Sequence, residues 1–376
     1  MTNRLRVAHV IQNLNYGGME KLLADLVRRI APARYECHVV TLEYLGRYSR
    51  EMEGFARLHL GPRMSSLSLL RPAALARFLA SLRPDIVHTH SGVWYKTARA
   101  ARMAGVPWVV HTEHGKQSED RVSRFLDRRA ARKTDAVVAV SDALGSYLSQ
   151  RLDVPRDHLH VIPNGVDVSR FKARAPSGAL RHEFKLAEGQ PIIGSVGRLE
   201  AVKGYDVVIR AFARLPRGPE AAPPVLVIAG EGSERAGLER LASELGVANR
   251  VFLPGWRDDP EDLYAHFCCF VLGSWSEGTS VSLLEAMASG LPPVVTAVGG
   301  NPAVLGSELA AQAVPPGDPV KLAEAVGRVL EARRAEEIGA RARRRAEEHF
   351  SLDAMVSAYD RLYQSFGRQA PSTELR

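Results

Sequence analysis

Short apolar runs alternate with amphipathic helical patterns along almost the whole chain, and this alternation is the feature that most restricts its fold. The first pair is the strand-like LRVAHVI at 5–11 and the helix-like GGMEKLLADLVRRI at 17–30. Such alternation joins parallel strands through helices that cover both faces of a sheet. The sequence therefore predicts an α/β fold. Further strand-like runs of the first half are 36–42, 85–90, 108–114 and 135–141, with helical patterns at 72–82 and 121–134.

The pattern breaks once, over a polar and irregular stretch at 168–190. We therefore expect a first domain over 1–170, a linker at 171–190, a second α/β domain over 191–350 and a helical segment at 351–376. Two such domains in tandem suggest a cleft between them, because parallel sheets bind ligands at the carboxyl ends of their strands. In the second half, strand-like runs are 191–199, 225–232, 250–256, 267–274 and 292–300, with helical patterns at 203–215, 233–245, 259–266 and 280–289.

Composition predicts a cytoplasmic protein. No run approaches the ~18 consecutive apolar residues that a membrane-spanning helix needs, and the apolar run near the start is too short for a signal peptide. Three cysteines, Cys37, Cys268 and Cys269, form neither a disulfide framework nor a CxxC pattern.

Positive charge is concentrated in the first half. Residues 1–170 hold 26 Lys and Arg against 16 Asp and Glu, whereas residues 171–376 hold 24 against 26. Basic surface suits nucleic acid, anionic lipid or a phosphorylated substrate. One stripe of the helix predicted near 121–134 could rest on an anionic membrane, although a solvated helix face is the simpler interpretation. The stripe consists of Arg121, Arg124, Arg128 and Arg132.

The stretch SEGTSVSLLEAMASGLP at 276–292 places two carboxylates around a strand-to-helix loop. Glu277 precedes Gly278 in the loop, and Glu285 lies at the edge of the apolar stripe of the helix. The free N–H groups at the helix start form an anion site, and the half-buried Glu285 needs hydroxyl or cationic partners. The two hydroxyl groups of a sugar diol would be suitable partners for this carboxylate. The alternative is one carboxylate near the cap and one exposed helical carboxylate.

The stretch GSVGRLEAVKGYD at 194–206 places two cations after the first strand of the second domain. Arg198 and Lys203 lie on either side of a turn at a helix start, where they would attract phosphate. Two exposed basic residues are the alternative.

A glycine-rich turn, NLNYGGMEK at 13–21, follows the first strand of the chain. Gly17 and Gly18 open a helix and suit a phosphate there, but a simple turn explains them as well. The stretch matches neither GxGxxG nor a Walker motif.

Four histidines end two strands of the first domain. HTH contains His88 and His90, and HTEHG contains His111 and His114. Zinc is one interpretation, but no cysteine or third cluster completes a site. The alternatives are packed, hydrogen-bonded histidines and a role at the cleft.

Together these stretches resemble the retaining glycosyltransferases of the GT-B fold, family 4, and within them the enzymes of bacterial exopolysaccharide or lipopolysaccharide assembly. The resemblance covers essentially the whole chain. The matching pieces are GGMEK, HTEHG, VSDAL, VIPNGVD, VGRLEAVKGYD, IAGEGSER, LPGWRDD and SEGTSVSLLEAMASGLPPVVTAVGGNPAVL.

The resemblance implies two Rossmann-like domains that face each other across a cleft, with the C-terminal helix returning to the first domain. The first domain would take the acceptor and the second the nucleotide-sugar. By resemblance, Glu285 binds the ribose, Glu277 orients the donor sugar, Arg198 and Lys203 clamp the diphosphate, and His114 lies near the sugar. The N–H groups of Gly278, Thr279 and Ser280 would hold sugar or phosphate oxygens, Gly17 and Gly18 would face the diphosphate, and the base would lie near 252–256.

The implied reaction is sugar transfer with retention through front-face attack. Two cations would stabilise the charge that develops on the leaving phosphate, so no metal or other cofactor is expected. The implied partners are a nucleotide-sugar, with UDP-sugar favoured and GDP-mannose possible, and a glycan or lipid-linked acceptor. An anionic membrane at the inner face of the cell is a further expected partner, and nucleic acid is not.

The stretch SWSEG departs from the family pattern at Trp275, which leaves the donor sugar open. Three other classes are weighed against sugar transfer. A sugar-nucleotide 2-epimerase shares the fold, but its candidate His266 lies in an ordinary helix. The chain lacks the GxGxxG motif that a nicotinamide-dependent dehydrogenase would have. It also lacks the aromatic platforms expected of a polyanion-binding protein that binds nucleic acid.

Overall fold

The computed structural model describes residues 4–15, 17–64, 71–115, 120–216 and 223–368. The chain forms two compact units. The first unit combines Met1–Asn164 with Leu352–Arg376, and the second is Gly165–Ser351. The chain therefore leaves the first unit once and returns to it at the end.

The described part of the first unit contains a seven-stranded sheet in the order β3-β2-β1-β4-β5-β6-β7, in which all the strands pair in parallel. Six helices accompany it. The strands are β1 (Leu5–Asn13), β2 (Tyr35–Tyr44), β3 (Arg57–Leu60), β4 (Ile86–His90), β5 (Trp108–Glu113), β6 (Ala136–Ala139) and β7 (Leu159–Val161). The helices are α1 (Gly18–Arg29), α2 (Ala73–Leu82), α3 (Trp94–Met103), α4 (Arg121–Ala131), α5 (Asp142–Leu152) and, from the end of the chain, α14 (Leu352–Arg368).

The central strands of this sheet are buried on both faces. Strand β4 has no exposed residue, and β1 is buried from Val7 to Ile11. Continuous apolar strands of this kind are what a parallel sheet needs, because helices cover both of its faces. The strand-like runs recognised in the sequence are therefore core strands.

Helix α14 packs onto the first unit through aromatic side chains. Tyr35 donates a hydrogen bond to the Asp360 carboxylate at 2.7 Å, and the Trp108 and Phe366 rings stack at 4.9 Å between centroids. Tyr363 is fully buried. The predicted return of the C-terminal helix to the first domain is confirmed.

Among its described residues, the second unit contains a six-stranded parallel sheet in the order β10-β9-β8-β11-β12-β13. The strands are β8 (Ile192–Val196), β9 (Val225–Ala229), β10 (Val251–Gly255), β11 (Cys269–Leu272), β12 (Pro293–Thr296) and β13 (Ala313–Val314). The helices are α6 (Ala179–Glu183), α7 (Tyr205–Phe212), α8 (Arg235–Glu244), α9 (Pro260–His266), α10 (Val281–Ala288), α11 (Asn301–Leu305), α12 (Pro319–Val329) and α13 (Ala332–His349).

The stretch 171–190, predicted as a linker, lies within the second unit. Phe171 and Leu180 are buried in its core, and the ring of Phe171 meets Tyr264 edge-on. The two sheets with their helices form the doubly wound α/β architecture that the alternation predicts. Within the described residues, none of the helices combines the length and the apolar character that crossing a bilayer requires.

Candidate active site

Each sheet has a point at which the strand order reverses, and the predicted site residues follow the strands at these points. In the second unit the reversal lies between β8 and β11, and in the first it lies between β1 and β4. Connections from two such neighbouring strands leave the sheet in opposite directions and open a crevice at the carboxyl ends. Lys203 and Glu277 lie in the loops after β8 and β11.

Lys203 and Glu277 form a shielded ion pair at this crevice. The Lys203 Nζ lies 2.7 Å from Glu277 Oε1, with the two side chains 18% and 8% exposed. Ser274 also donates its hydroxyl to Oε1 at 2.6 Å. The structure thus brings together two residues that are 74 positions apart and fixes the carboxylate with two donors.

Close backbone approach makes this arrangement possible. Gly204 adopts a positive φ of 58°, and a Cβ on it would lie 2.1 Å from the carbonyl oxygen of Gly273. Gly299 similarly lies against the Glu277 carbonyl, where a Cβ would come within 1.7 Å. Any larger residue at these two glycines would push the loops apart.

Glu285 lies on α10 and is 5% exposed. The buried Tyr264 of α9 donates its hydroxyl to Glu285 Oε2 at 2.9 Å. Burial, and then the neighbouring Glu285 charge, raises the pKa of Tyr264 well above its usual value, so the phenol keeps its proton and acts as a donor. The other predicted residues of this loop, Gly278, Thr279 and Ser280, are buried, and Ser280 caps α10 by accepting from the Leu283 N–H.

Arg198 lies in the loop after β8 with an exposed side chain. Trp275 is 51% exposed in the loop after β11, and its ring passes close to Gly317. The structure therefore leaves a cation and an indole accessible beside the shielded ion pair. The predicted base-binding stretch 252–256 lies along β10 and the residue that follows it.

In the first unit, Gly17 caps α1 and Gly18 is its first residue. His114 follows β5. Its backbone N–H donates to the Ser91 hydroxyl at 2.8 Å, and this hydroxyl donates to Glu113 Oε1 at 2.6 Å. His114 is therefore anchored to the loop that follows β4.

A row of histidine rings leads from His114 into the sheet. The His114 Nε2 lies 3.2 Å from His90 Nδ1, and the His90 Nε2 lies 3.3 Å from His9 Nδ1. Burial lowers the pKa of His114 to about 4 and that of His9 to about 3. The pKa of His90 falls well below its usual value for the same reason, and neighbouring histidines lower it further. All three rings are consequently neutral near pH 7.

The structure also tests the geometry of a zinc site, since His9, His88 and His90 each bring a potential ligand atom within 4.8 Å of the others. Both nitrogens of His88 already face hydroxyl groups, Tyr363 at 2.6 Å and Thr112 at 2.8 Å. His88 would have to give up one of these hydrogen bonds to bind a metal. The arrangement therefore favours hydrogen bonding over metal ligation.

His111 is separate from this row. Its ring stacks on Trp94 at 3.9 Å between centroids, and its Nδ1 lies 3.1 Å from the Thr89 carbonyl oxygen. His266, considered for an epimerase, is buried in α9 with Nδ1 2.8 Å from the Asp262 carbonyl oxygen. Both are packed side chains.

Helix α4 exposes two apolar residues beside its arginines. Val122 is 68% exposed and Phe125 is 55% exposed. Arg121 and Arg132 are exposed and Arg124 is half-buried. Arg128 is already engaged, because its Nε lies 3.2 Å from the Asp153 carboxylate and donates to the Arg151 carbonyl oxygen.

Sequence reasoning missed Tyr264, Ser274, His9 and the link between His90 and His114. Ser274 lies just before Trp275 and could have been included with the loop. The other three depend on which strands and helices become neighbours, and a single sequence carries no direct signal for that.

Two family descriptions match adjoining parts of the chain. Residues 16–170 match Glycosyltransferase Family 4, and residues 177–348 match Glycosyl transferases group 1. The chain is a glycosyltransferase of the family 4 type. The enzyme class predicted from the motifs is thereby confirmed.

Named relatives of this family 4 glycosyltransferase include enzymes with different acceptors. The D-inositol 3-phosphate glycosyltransferase of Salinispora tropica is 29% identical, over 90% of this chain and 79% of its own length. The UDP-Gal:alpha-D-GlcNAc-diphosphoundecaprenol alpha-1,3-galactosyltransferase of Escherichia coli is 27% identical, over 81% of this chain and 83% of its own length.

Among solved structures, Anabaena HepE in complex with UDP-glucose superposes with a TM-score of 0.84 at 21% identity. The superposition covers 96% of this chain and 100% of that chain. This likeness confirms the GT-B fold predicted for the family 4 glycosyltransferase.

Proposed function

We propose that this glycosyltransferase moves a sugar from a nucleotide-sugar, with UDP-sugar favoured and GDP-mannose the second choice, to a glycan or lipid-linked acceptor with retention of configuration. The observation that carries the proposal is the pairing of Lys203 with Glu277 at the strand-order reversal of the second unit. A cation and a carboxylate 2.7 Å apart suit a ligand that presents a phosphate oxygen next to a hydroxyl. A sugar diphosphate is such a ligand.

The neighbouring groups extend this match along a nucleotide-sugar. The exposed Arg198 would join Lys203 on the diphosphate, and the first turn of α10 offers N–H groups to an anion. Glu285, held by Tyr264, would accept from the ribose hydroxyls. The UDP and UDP-glucose complexes of Anabaena HepE support the choice of a uridine donor.

The proposed chemistry uses these charges in the transition state. As the bond from the sugar to the β-phosphate breaks, negative charge grows on the phosphate, and preorganised cations stabilise it. Arg198 and Lys203 would supply this stabilisation without a metal ion. The acceptor hydroxyl would attack from the face that the phosphate leaves, and the departing phosphate oxygen would take its proton.

Thermal unfolding with UDP, GDP and ADP in excess chelator tests the donor site. A nucleotide at ~100 times its dissociation constant stabilises a folded protein by about 2.7 kcal/mol. We expect a shift with UDP that is lost in Arg198→Ala and kept in Arg333→Ala, a control whose side chain is 94% exposed on α13. A shift that appears only with magnesium or manganese would contradict the metal-free site.

We further propose that the first unit binds an anionic membrane surface at the cytoplasmic face, where a lipid-linked acceptor would be found. Helix α4 supports this because Val122 and Phe125 are exposed between arginines. Apolar side chains that enter the headgroup region beside basic residues are the mark of an interfacial helix. The E. coli relative named for a diphosphoundecaprenol substrate is consistent with this acceptor class.

Vesicle sedimentation tests the membrane proposal. The protein should pellet with anionic vesicles at low salt and not with neutral vesicles. The double variant Phe125→Ser with Arg124→Glu should remain in the supernatant, whereas Arg333→Glu should behave like the parent. Equal pelleting of the parent and the double variant would exclude α4 as the contact.

A further inference from the structure

The two nitrogen–nitrogen contacts in the row His9, His90 and His114 are coupled, because they must share one direction of hydrogen-bond donation. Each neutral imidazole carries one hydrogen, and each nitrogen–nitrogen contact needs one hydrogen between its two atoms. Both contacts can therefore be made only when all three rings donate in the same direction. The row has two allowed states, and the direction decides which nitrogen of His114 carries the hydrogen.

In the outward direction, His9 Nδ1 donates to His90 Nε2, and His90 Nδ1 donates to His114 Nε2. His114 then carries its hydrogen on Nδ1. In the inward direction every donor is reversed, so that His9 carries its hydrogen on Nε2 and His114 offers a bare Nδ1. The two end atoms, His9 Nε2 and His114 Nδ1, are buried and make no hydrogen bond with any described residue.

The surroundings of the two ends favour the outward direction. Both end atoms are buried, but His9 lies wholly in the core whereas residue His114 is partly exposed, so an N–H group without an acceptor costs more at His9 than at His114. His114 lies at a strand end beside Glu113. Burial acts to raise the pKa of Glu113, but hydrogen bonds from His111 and Ser91 outweigh it and lower that pKa, so the carboxylate is ionised. In the outward state the N–H dipoles of the row point their positive ends toward His114, so the negative charge of Glu113 favours this state.

We propose that His9 and His90 are positioning residues that fix the hydrogen of His114 on Nδ1, so that His114 meets the substrate as a hydrogen-bond donor. This inference rests on the proposed function and on the role that the family resemblance implies for His114, near the transferred sugar. A hydroxyl oxygen of the sugar would accept from Nδ1 and satisfy the atom that lacks a partner here. The other ring nitrogen of His114, Nε2, accepts the hydrogen bond from His90 and therefore cannot act as a base toward the substrate.

Nitrogen-15 NMR of protein labelled at histidine tests the direction of the row without donor or acceptor. Long-range proton–nitrogen correlations show which ring nitrogen carries hydrogen. We expect His9, His90 and His114 all to carry it on Nδ1. A hydrogen on Nε2 of His114 in the parent protein would overturn the proposal, and so would stoichiometric zinc with metal-bound shifts at His9 and His90.

Two variants of His90 separate positioning from packing. In His90→Asn the amide nitrogen takes the place of ring Nδ1 and can still donate to His114, whereas His90→Leu fills similar space and donates nothing. We expect the His114 hydrogen to leave Nδ1 in His90→Leu only. An unchanged His114 spectrum in His90→Leu would overturn the proposal.

Kinetics complete the test. For His90→Leu we expect kcat to fall at least tenfold while UDP affinity stays within twofold, because the nucleotide would bind the second unit; His90→Asn should keep kcat within threefold. If His90→Leu does not fold, the parent spectrum and His9→Leu decide the direction instead. A protein with the expected spectrum but no sugar transfer would refute the proposed function and leave the hydrogen assignment intact.

Discussion

The hydroxyl of Tyr264 offers a sharp test of how the second unit holds Glu285. Tyr264→Phe removes one oxygen atom and leaves the ring packing against Phe171, Phe267 and Phe270 unchanged. The Glu285 carboxylate, 5% exposed, then loses a donor that lies 2.9 Å away. A hydrogen bond to a charged group contributes about 1.5–3 kcal/mol. The variant should therefore be less stable by that amount.

This loss is large enough to measure by heating. For a unit of this size, 1 kcal/mol corresponds to roughly 2–4 °C, so the unfolding midpoint of the second unit should fall by roughly 3–12 °C. Isothermal titration calorimetry should also show weaker UDP binding, because a less constrained carboxylate must be ordered again when the ribose binds. The two measurements report on the same hydrogen bond by independent routes.

Tyr359→Phe provides the matched control. Tyr359 is also a buried phenol, in the first unit, and it shares a 3.0 Å hydrogen bond with the uncharged Thr112 hydroxyl. Its loss should cost about 1 kcal/mol and leave UDP affinity unchanged. An unchanged midpoint and unchanged UDP affinity in Tyr264→Phe would refute the assignment of Tyr264 as the group that holds Glu285.

Three further predictions follow from the site and the histidine row. Glu285→Ala and Lys203→Ala should each reduce turnover at least tenfold by weakening donor binding, and near-parental turnover in both would contradict the donor site. In denaturant titration, Gly204→Ala should destabilise the second unit by at least ~2 kcal/mol more than Gly189→Ala. Both glycines have positive φ, but only at Gly204 would the added Cβ lie 2.1 Å from a backbone oxygen. Equal losses of stability would show that the loops can separate freely. The free energy of unfolding should fall as pH drops from 6.5 toward 5, by up to ~1.4 kcal/mol per pH unit for each histidine with a lowered pKa. The reason is that the histidines of the unfolded chain bind protons in this range, whereas the buried rings of the folded protein do not. His9→Leu should reduce this slope, and an unchanged slope would show that His9 is not neutral in the folded state.

The fold could be predicted from the sequence because most of its strands are continuous apolar runs. Strands β1, β4 and β8 coincide, within a few residues at their ends, with apolar runs recognised from the sequence pattern. Helices α3 and α5 were not recognised. Apart from Trp94, the buried residues of α3 are alanines and a threonine, so its buried face carries few large apolar side chains. Strand β13 has two residues and leaves no pattern to read.

The site residues named from the sequence lie in loops that directly follow a strand or, like Glu285, on the helix that comes next. Lys203, Glu277 and His114 lie in such loops, and the family resemblance suggested their roles. Tyr264 meets Glu285 because α9 packs beside α10, and His9 meets His90 because β1 lies next to β4. These contacts come from the order of strands in space, which local patterns do not contain.

The return of the chain to its first unit has a consequence for how the protein is made. Tyr359 and Tyr363, which cover the histidine-bearing face of the first sheet, lie beyond Gly165–Ser351 in the chain. At about 5–20 residues per second, a ribosome needs roughly 10–40 s to pass from one part of the first unit to the other. During that interval the nascent sheet lacks its last helix, so the unit that begins first is the one that finishes last.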